Sequence, residues 1–281
     1  MNRLAVLLAI LTLMLSPAAA QQSDSSFVAA ALADARRLPA TTNYPLHFAR
    51  LFLGRPYVAH TLEVNDREQL VTNTRELDCT TLVENVTALT LCVYRNRYTW
   101  HDFKRTLLEL RYRGGRLDGY ASRLHYFTDW IDDNSRRQVV SERQAPKPPF
   151  TALQTVKVNY MSRHPQAYKA LKAHPELVPQ IARQEQALSG RQYRYIPKSQ
   201  VRNTKVLRQA VSDGDIIAIT CSKPGLDIAH LGFAVWHADG LHLLNASQLH
   251  HKVVEEPMTL GQYLQKHPSH TGIRIIRIKK Q

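Results

Sequence analysis

The chain has 281 residues, with 37 lysines and arginines against 23 aspartates and glutamates, and its formal net charge is +14. A hydrophobic fraction of 44% and a charged fraction of 21% are ordinary for a globular protein and exclude a disordered or fibrous chain. Three cysteines are too few for a disulfide scaffold, and the basic balance indicates an anionic partner without saying which one.

The first twenty residues have the layout of a secretory signal peptide. Arg3 supplies a positive start, an apolar run extends to Leu15, and Ala18–Ala20 form a small-residue cleavage site. The apolar run is shorter than the roughly 20 residues that span a bilayer, which argues against an uncleaved anchor. We therefore predict an exported protein whose mature chain, residues 21–281, is a single domain. Three cysteines cannot all pair in an oxidising compartment, so at least one stays free.

Helical patterns occupy the first half of the mature chain. Apolar residues recur at helical spacing from Ser26 to Leu38, and a second apolar segment runs from Leu46 to Leu53. Residues 78–93 predict a third helix, and residues 101–113 predict a fourth that ends at a pair of glycines.

The second half changes from helical to β character. Residues 144–150 are rich in proline and predict a loop, and residues 144–200 as a whole are interpreted as an insertion or helical lid. From Asp215 onward five short β-branched runs follow one another, and Asp239-Gly240 between two of them is typical of a two-residue hairpin turn. Helices followed by an antiparallel meander predict the α+β class.

Cys79 is the leading candidate for chemistry. It directly follows Asp78, a suitable N-cap, and so lies in the first turn of a helix. Free backbone N–H groups there favour a thiolate and can hold an oxyanion. A small buried packing residue is the alternative interpretation. Cys92 and Cys221 lack the helix-start setting and are interpreted as structural.

Thirteen histidines compete for the role of base to such a nucleophile. His230 is the best placed, because it begins a predicted strand after the loop KPGLD and its side chain can face a cleft. The alternative is a histidine at a loop edge without a role. No HExxH or paired CxxC spacing occurs, so we expect neither a zinc mechanism nor a cofactor.

Four motifs stand in order along the chain: LDCTTLVENVTAL, SRLHYFTDWIDDN, PGLDIAHLGFAV and HLLNAS. Together with GRPYVAHTLE, HPQAYKAL and YRYIPKSQV, they extend over about residues 48–277. With these motifs the chain resembles the papain-like NlpC-type cell-wall hydrolases, and within them the family of N-acetylmuramoyl-L-alanine amidases that acts on peptidoglycan fragments. The resemblance implies a papain-like core, a peptidoglycan or muropeptide substrate, and location in the periplasm of a Gram-negative bacterium.

The resemblance also implies roles for three residues. Cys79 would attack the amide carbonyl and form a thioester, and His230 would accept the thiol proton and later protonate the leaving amine. Asn245 matches the position of the residue that orients the imidazole, where the family more often has His. An asparagine can still fix the ring by accepting from its N–H.

The predicted strand register does not readily bring the last two residues together. With a two-residue turn at Asp239-Gly240, His230 and Asn245 share a face but lie four residues apart, about 13 Å along a strand. A bulge near Gly232 would shorten this offset. Otherwise Ser247, on the same face, is the alternative partner for the imidazole.

Further residues are candidates for substrate binding. Tyr57 in GRPYV matches a tyrosine that lines the site near the nucleophile, although a tyrosine at the edge of the core is an equal alternative. Asp78 is a second candidate because it adjoins the nucleophile. Arg123, His125 and Tyr126 suit a binding wall, with a cation for peptide carboxylates and aromatic rings for a sugar. The alternative is a purely structural segment.

The leading hypothesis is a cysteine amidase that cuts between N-acetylmuramic acid and L-Ala. An endopeptidase that cuts the stem peptide after γ-D-Glu is the alternative on the same machinery, and a non-catalytic cell-wall binding module is the alternative from another class. A nucleic-acid binder ranks last, because the positive charges are scattered along the chain and no nucleic-acid motif occurs.

Overall fold

The computed structural model describes residues 17–280, which form helices packed on an antiparallel sheet. The α+β prediction is confirmed. The helices are α1 (Pro17–Ala35), α2 (Tyr44–Arg50), α3 (Cys79–Tyr94), α4 (Trp100–Arg111), α5 (Phe127–Arg136), α6 (Tyr160–Arg163), α7 (Lys169–Ala173), α8 (Val178–Leu188), α9 (Lys205–Ala210) and α10 (Leu260–Gln265). The strands are β1 (Val140–Arg143), β2 (Ala152–Thr155), β3 (Gln192–Pro197), β4 (Ile216–Cys221), β5 (Ile228–Trp236), β6 (Leu241–Ser247), β7 (Lys252–Glu255) and β8 (His270–Ile278).

The sheet has the strand order β2-β3-β8-β4-β5-β6-β7, and β1 also pairs with β8. Strands β4 to β7 form the predicted meander of neighbouring antiparallel pairs. The last strand departs from it, because β8 pairs with β4 and not with β7. The chain crosses the sheet between β7 and β8 through α10, a helix that the sequence pattern did not reveal.

Helix α3 lies at the centre of the larger hydrophobic core. Every residue from Thr81 to Val93 is buried, and Leu82, Val86 and Leu89 are fully inaccessible to solvent. The apolar stripe of this helix packs together with residues of β5 and β6, such as Phe233. Burying each such side chain contributes about 1.5–3 kcal/mol. The start of α3 is therefore held firmly against the strands that carry the predicted base.

The segment that precedes α3 is tied to α1 by a buried carboxylate. Asp24 is 1% exposed, and its Oδ1 accepts hydrogen bonds from Thr74 N at 3.0 Å and from Thr74 Oγ1 at 2.7 Å. Arg75 Nε lies 3.4 Å from the same oxygen. Helix α1 thus supports the chain just before Cys79. Most of the predicted signal peptide, residues 1–20, falls outside the described residues.

Residues 144–200 are built into the sheet at both ends. Strands β2 and β3 pair with each other, and β3 pairs with β8, while α6, α7 and α8 lie between them. The helices dock on the rest of the chain through Glu185, whose Oε1 accepts from Tyr126 Oη at 2.6 Å. Among residues 17–280, no helix combines the length and apolarity needed to cross a membrane.

Candidate active site

Cys79 is the first residue of α3, as the sequence predicts. Asp78 caps the helix: its Oδ1 accepts from Thr81 N at 2.8 Å, and Thr81 Oγ1 accepts in return from Asp78 N at 2.9 Å. This reciprocal pair is a capping box, in which threonine takes the place of the usual Glu or Gln. The three cysteines of the chain are all free, and Cys92 is fully buried while Cys79 is half-buried.

The thiol of Cys79 lies against β5. The backbone of Leu231 and the side chain of Thr80 are close enough to the sulfur to lower its pKa. Burial nevertheless raises the pKa of Cys79 to about 12, and the Asp78 carboxylate raises it further. The expectation of a thiolate favoured by the helix start is wrong for the resting protein, because loss of hydration outweighs the donors at the helix N-terminus. A base must therefore take the proton.

His230 directly precedes Leu231 in β5. Tyr263 of α10 neighbours both site residues: its ring lies 6.4 Å from that of His230, and burial and the charge of Cys79 help to raise its pKa. Burial lowers the pKa of His230, while the hydrogen bond to Asn245 and the charge of Glu256 oppose the lowering. A neutral imidazole at pH 7 is the form that can accept a proton.

The loop between β5 and β6 sets the position of Asn245. It has four residues, His237–Gly240, and is closed by a hydrogen bond from His237 N to Gly240 O at 2.8 Å. The prediction of a two-residue turn is wrong, and Ala234 pairs with Leu243 where the prediction paired it with Asn245. The observed register brings Asn245 two residues closer to His230.

The side chains of these two residues are in contact, with His230 Nε2 2.9 Å from Asn245 Oδ1. Asn245 is fully buried, so its amide has no water to compete for that bond. Ser247, the alternative, instead accepts from His250 N through its Oγ at 3.3 Å. The structure therefore joins the imidazole and the amide that the sequence singled out.

The bulge in β5 lies at Ala229, directly before His230, where the register with β4 shifts. The expected position at Gly232 is wrong. Gly232 has a different reason to be glycine, because a Cβ there would lie only 2.6 Å from Leu244 O. Its absence lets β5 and β6 approach closely beside the histidine.

Glu256 is a residue of the site that sequence reasoning missed. It is 2% exposed, and its Oε1 accepts from Asn245 Nδ2 at 3.2 Å. Its other carboxylate oxygen lies 3.2 Å from His250 Nε2. The run HKVVEEP carried no signal that could have identified it, since the contact depends on the pairing of β6 with β7.

Aromatic rings cover the other side of the imidazole. The ring of Tyr263, on α10, lies 6.4 Å from that of His230 with an interplanar angle of 29°. His267 and His270 extend the stack, with ring centroids 4.6 Å apart. Burial lowers the pKa of His270 to about 4, with further lowering by His267 and His230. In the described part of the chain, no group of three or more His, Cys, Asp or Glu side chains is arranged so that it could hold a metal ion.

Tyr57 lies beside the nucleophile. Burial raises the pKa of Tyr57 to about 12, and the charges of Cys79 and Asp78 raise it further, which records their proximity. Its hydroxyl therefore keeps its proton at neutral pH and remains a donor. Asp78 is also predicted for substrate binding, and its Oδ1 accepts hydrogen bonds from Thr81 in the cap of α3.

The residues of the predicted binding wall, Arg123, His125 and Tyr126, make contacts with other residues of the chain. Arg123 is 6% exposed and pairs with Glu63 and Glu68, and Tyr126 donates to Glu185. His125 Nε2 lies 3.0 Å from Tyr120 O. Arg123 and Tyr126 thus have partners within the chain, although Arg123 Nε makes no hydrogen bond to any described residue, and the role of this segment in substrate binding stays a prediction.

Comparisons with known proteins place the chain in a family. The family model described as AmiA-like, N-acetylmuramoyl-L-alanine amidase-like, matches residues 47–273. The chain belongs to the AmiA-like family. That match includes Tyr57, Cys79, His230, Asn245 and Glu256. None of the curated proteins that we compared with the chain matches it.

Solved structures agree with the AmiA-like assignment. The chain is 42% identical to an N-acetylmuramoyl-L-alanine amidase from Bacteroides uniformis, with a TM-score of 0.79 over 84% of this chain and 98% of that one. It is 43% identical to a putative xylanase from Bacteroides fragilis, with a TM-score of 0.77 over 83% and 100% of the two chains. A Legionella pneumophila protein with 21% identity and a TM-score of 0.72, over 94% and 97%, shares the fold.

Proposed function

We propose that this protein is an exported cysteine amidase that hydrolyses the N-acetylmuramoyl–L-Ala amide bond of peptidoglycan or its fragments. The observation that carries the proposal is the contact between the start of α3, with Cys79, and the β5–β6 pair, with His230 and Asn245. Membership of the AmiA-like family, which supports a hydrolase, and the amidase name of a relative 42% identical point to the same reaction.

The arrangement also supports a papain-like NlpC-type core. A nucleophile at the start of a buried helix, a base on one strand and an orienting amide on the next strand form the Cys-His-Asn constellation of papain-like enzymes. The signal-peptide pattern of residues 1–20 supports export, and we propose the periplasm as the location.

The first half of the reaction is acylation. At pH 7 the thiol and the imidazole are both neutral, so the thiol proton moves to His230 as Cys79 Sγ attacks the lactyl carbonyl carbon. The resulting oxyanion collapses, the C–N bond breaks, and the L-Ala nitrogen leaves with the proton from His230. The lactyl group is then a thioester on Cys79.

The second half is hydrolysis of this thioester. Water gives a proton to His230 and attacks the carbonyl carbon, the C–S bond breaks, and the sulfur regains the proton. The products are the lactyl carboxylic acid and the free peptide amine. Asn245 holds the ring in place during both proton transfers by accepting from Nε2.

Two donors are available for the oxyanion. The backbone N–H of Cys79 belongs to the first turn of α3, where such groups have no helical acceptor. The Tyr57 hydroxyl stays protonated and is close to the thiol. A glycosidase, by contrast, would need two carboxylates facing the sugar bond. The site carries Cys79 and His230 beside Asp78, whose Oδ1 is taken by the helix cap, and so favours acyl transfer.

The deciding experiment incubates the purified mature chain with defined muropeptides and weighs the products. Release of intact tripeptide or tetrapeptide from the sugar supports the amidase. A dipeptide L-Ala-D-Glu left on the sugar assigns the endopeptidase alternative, and no cleavage with retained binding assigns a cell-wall binding module. Cys79→Ala should abolish turnover. The matched control is Cys221→Ala, which removes a free thiol outside the site and should keep turnover.

A further inference from the structure

Glu256 is a buried carboxylate held against the strand that carries Asn245. Its backbone N–H donates to Leu243 O at 2.9 Å. Its backbone oxygen accepts from His242 Nδ1 at 2.7 Å. Both partners belong to β6, and the side chain is 2% exposed. The position of the carboxylate relative to Asn245 is therefore determined by the main chain and not by a flexible side chain alone.

The surroundings of the Asn245 amide define which way it points. Its Nδ2 lies 3.2 Å from Glu256 Oε1 and 3.3 Å from Leu243 O. An ionised carboxylate and a backbone carbonyl only accept hydrogen bonds, so both require the NH2 group on their side. Oδ1 must then face His230 Nε2, 2.9 Å away.

The amide orientation has a consequence for the imidazole. An amide oxygen only accepts, so the nitrogen that faces it, Nε2 of His230, must carry the proton. In the neutral ring the other nitrogen, Nδ1, then holds the free electron pair. The base of the proposed reaction is thereby the nitrogen that is not bonded to Asn245.

We infer that Glu256 is a positioning residue for His230: its carboxylate, together with the Leu243 carbonyl, fixes the orientation of the Asn245 amide and thereby the tautomer of the imidazole. The kinetic meaning of this inference rests on the proposed function, whereas the tautomer is a property of the resting protein. Glu256 neither donates nor takes a proton in the reaction.

Other charged and titratable groups surround the same atoms. The carboxylate is faced by His230, His250 and Tyr263. The imidazole is faced from several elements by Asp78, Glu256, Tyr263, His267 and His270. The negative charge of Glu256 raises the pKa of His230 and that of Asp78 does so too, whereas a charge on His267 lowers it. Of the described groups that face the imidazole, only Glu256 also bonds the Asn245 amide.

The test uses the full mature chain and two variants of Glu256. Glu256→Ala removes the acceptor, and Glu256→Gln removes the charge but keeps an oxygen that can accept. Glu185→Gln is the matched control. Glu185 is equally buried, at 2% exposure, but it lies in α8 and accepts a hydrogen bond from Tyr126, away from Asn245. Correlation spectra of the ring nitrogens report the tautomer, with the His230 signals assigned from their loss in His230→Gln.

We expect the His230 ring to carry its proton on Nε2 in the wild type, in Glu185→Gln and in Glu256→Gln. In Glu256→Ala we expect a mixture of the two tautomers. We also expect the pKa of His230, followed in the same spectra, to fall by at least about half a unit in Glu256→Gln, because a raising charge is lost. In the pH profile of kcat/KM with muropeptide, the acidic limb should also move to lower pH in Glu256→Gln.

An unchanged tautomer in a folded Glu256→Ala overturns the inference. If that variant does not fold, Glu256→Gln decides, and a His230 pKa equal to that of Glu185→Gln overturns it. The spectra are recorded on resting protein. An absence of amidase turnover would therefore contradict the proposed function but would not affect the measured tautomer of His230.

Discussion

His230 Nε2 and Asn245 Oδ1 lie 2.9 Å apart across β5 and β6, although the residues are not directly opposite in the ladder. A diagonal pair on one face of an antiparallel sheet is about 7–8 Å apart at Cα, within reach of a ring and an amide. The hairpin loop of four residues creates this diagonal. The orientation of the base thus depends on loop length as much as on residue identity.

Removing the amide should slow turnover. In Asn245→Ala the ring of His230 loses its only side-chain acceptor among the described residues, and we expect kcat to fall by about 100-fold, the cost of misplacing a catalytic group. Asn245→His should retain more activity because histidine can also accept from Nε2. Ser247→Ala, which changes a residue outside the contact, should stay within about twofold, and equal losses in Ser247→Ala and Asn245→Ala would contradict the assignment.

Alkylation of Cys79 by iodoacetamide should follow its raised pKa of about 12. Only the thiolate reacts, so the rate should rise about tenfold per pH unit between pH 7 and 10. Peptide mass spectrometry measures the rate at each cysteine. Cys92, fully buried, should stay unmodified in the native protein. A rate for Cys79 that is already independent of pH above neutrality would indicate a preformed thiolate and contradict the prediction.

Acid should destabilise the protein through His270. Its folded pKa is lowered to about 4, so between pH 6.5 and about 4 the unfolded chain binds a proton that the native protein does not. Stability is therefore present above pH 6.5 and lost as the pH falls through this window. Urea unfolding at pH 7, 5 and 4 measures it. His270→Gln should flatten the dependence, whereas His101→Gln, at an exposed position, should not.

The hydroxyl of Tyr57 should matter for rate more than for folding. Tyr57→Phe keeps the ring and removes the donor, so we expect kcat to fall by at least about tenfold with little change in the unfolding midpoint. Tyr98→Phe is the control, because within the described residues the hydrogen bond of Tyr98 Oη goes only to the Asn96 side chain, 3.4 Å away. Equal kinetics of the two variants would assign Tyr57 to the core edge.

What the sequence predicts well here is local. The start of α3 follows from Asp78, a suitable N-cap, and the apolar stripe behind it fixes the buried face. Both signals lie within a few turns of one helix, so no knowledge of distant partners is needed. The same is true of the short β-branched runs that became β4 to β8.

What the sequence does not predict depends on tertiary contacts. Asp239-Gly240 is a good hairpin signal, yet Asp239 Oδ1 lies 3.0 Å from His242 Nε2 and Asn203 Nδ2 donates to Ala238 O at 3.2 Å, which hold the longer loop. The pKa of Cys79 depends on burial that no helix-start rule includes. Arg123 meets its carboxylates 55 and more residues away in the chain, which leaves no local pattern.

The bond between Asp24 and Thr74 has a practical consequence for anyone who produces this protein. A recombinant mature chain that begins at Gln21 keeps the hydrogen bond between Asp24 and Thr74. A chain trimmed beyond Asp24 leaves the Thr74 N–H buried without an acceptor, which lowers the free energy of unfolding by about 1–3 kcal/mol. That loss would fall on the loop leading to Cys79. Preparations that differ by a handful of N-terminal residues should therefore differ in specific activity, and their starting residue belongs with any reported rate.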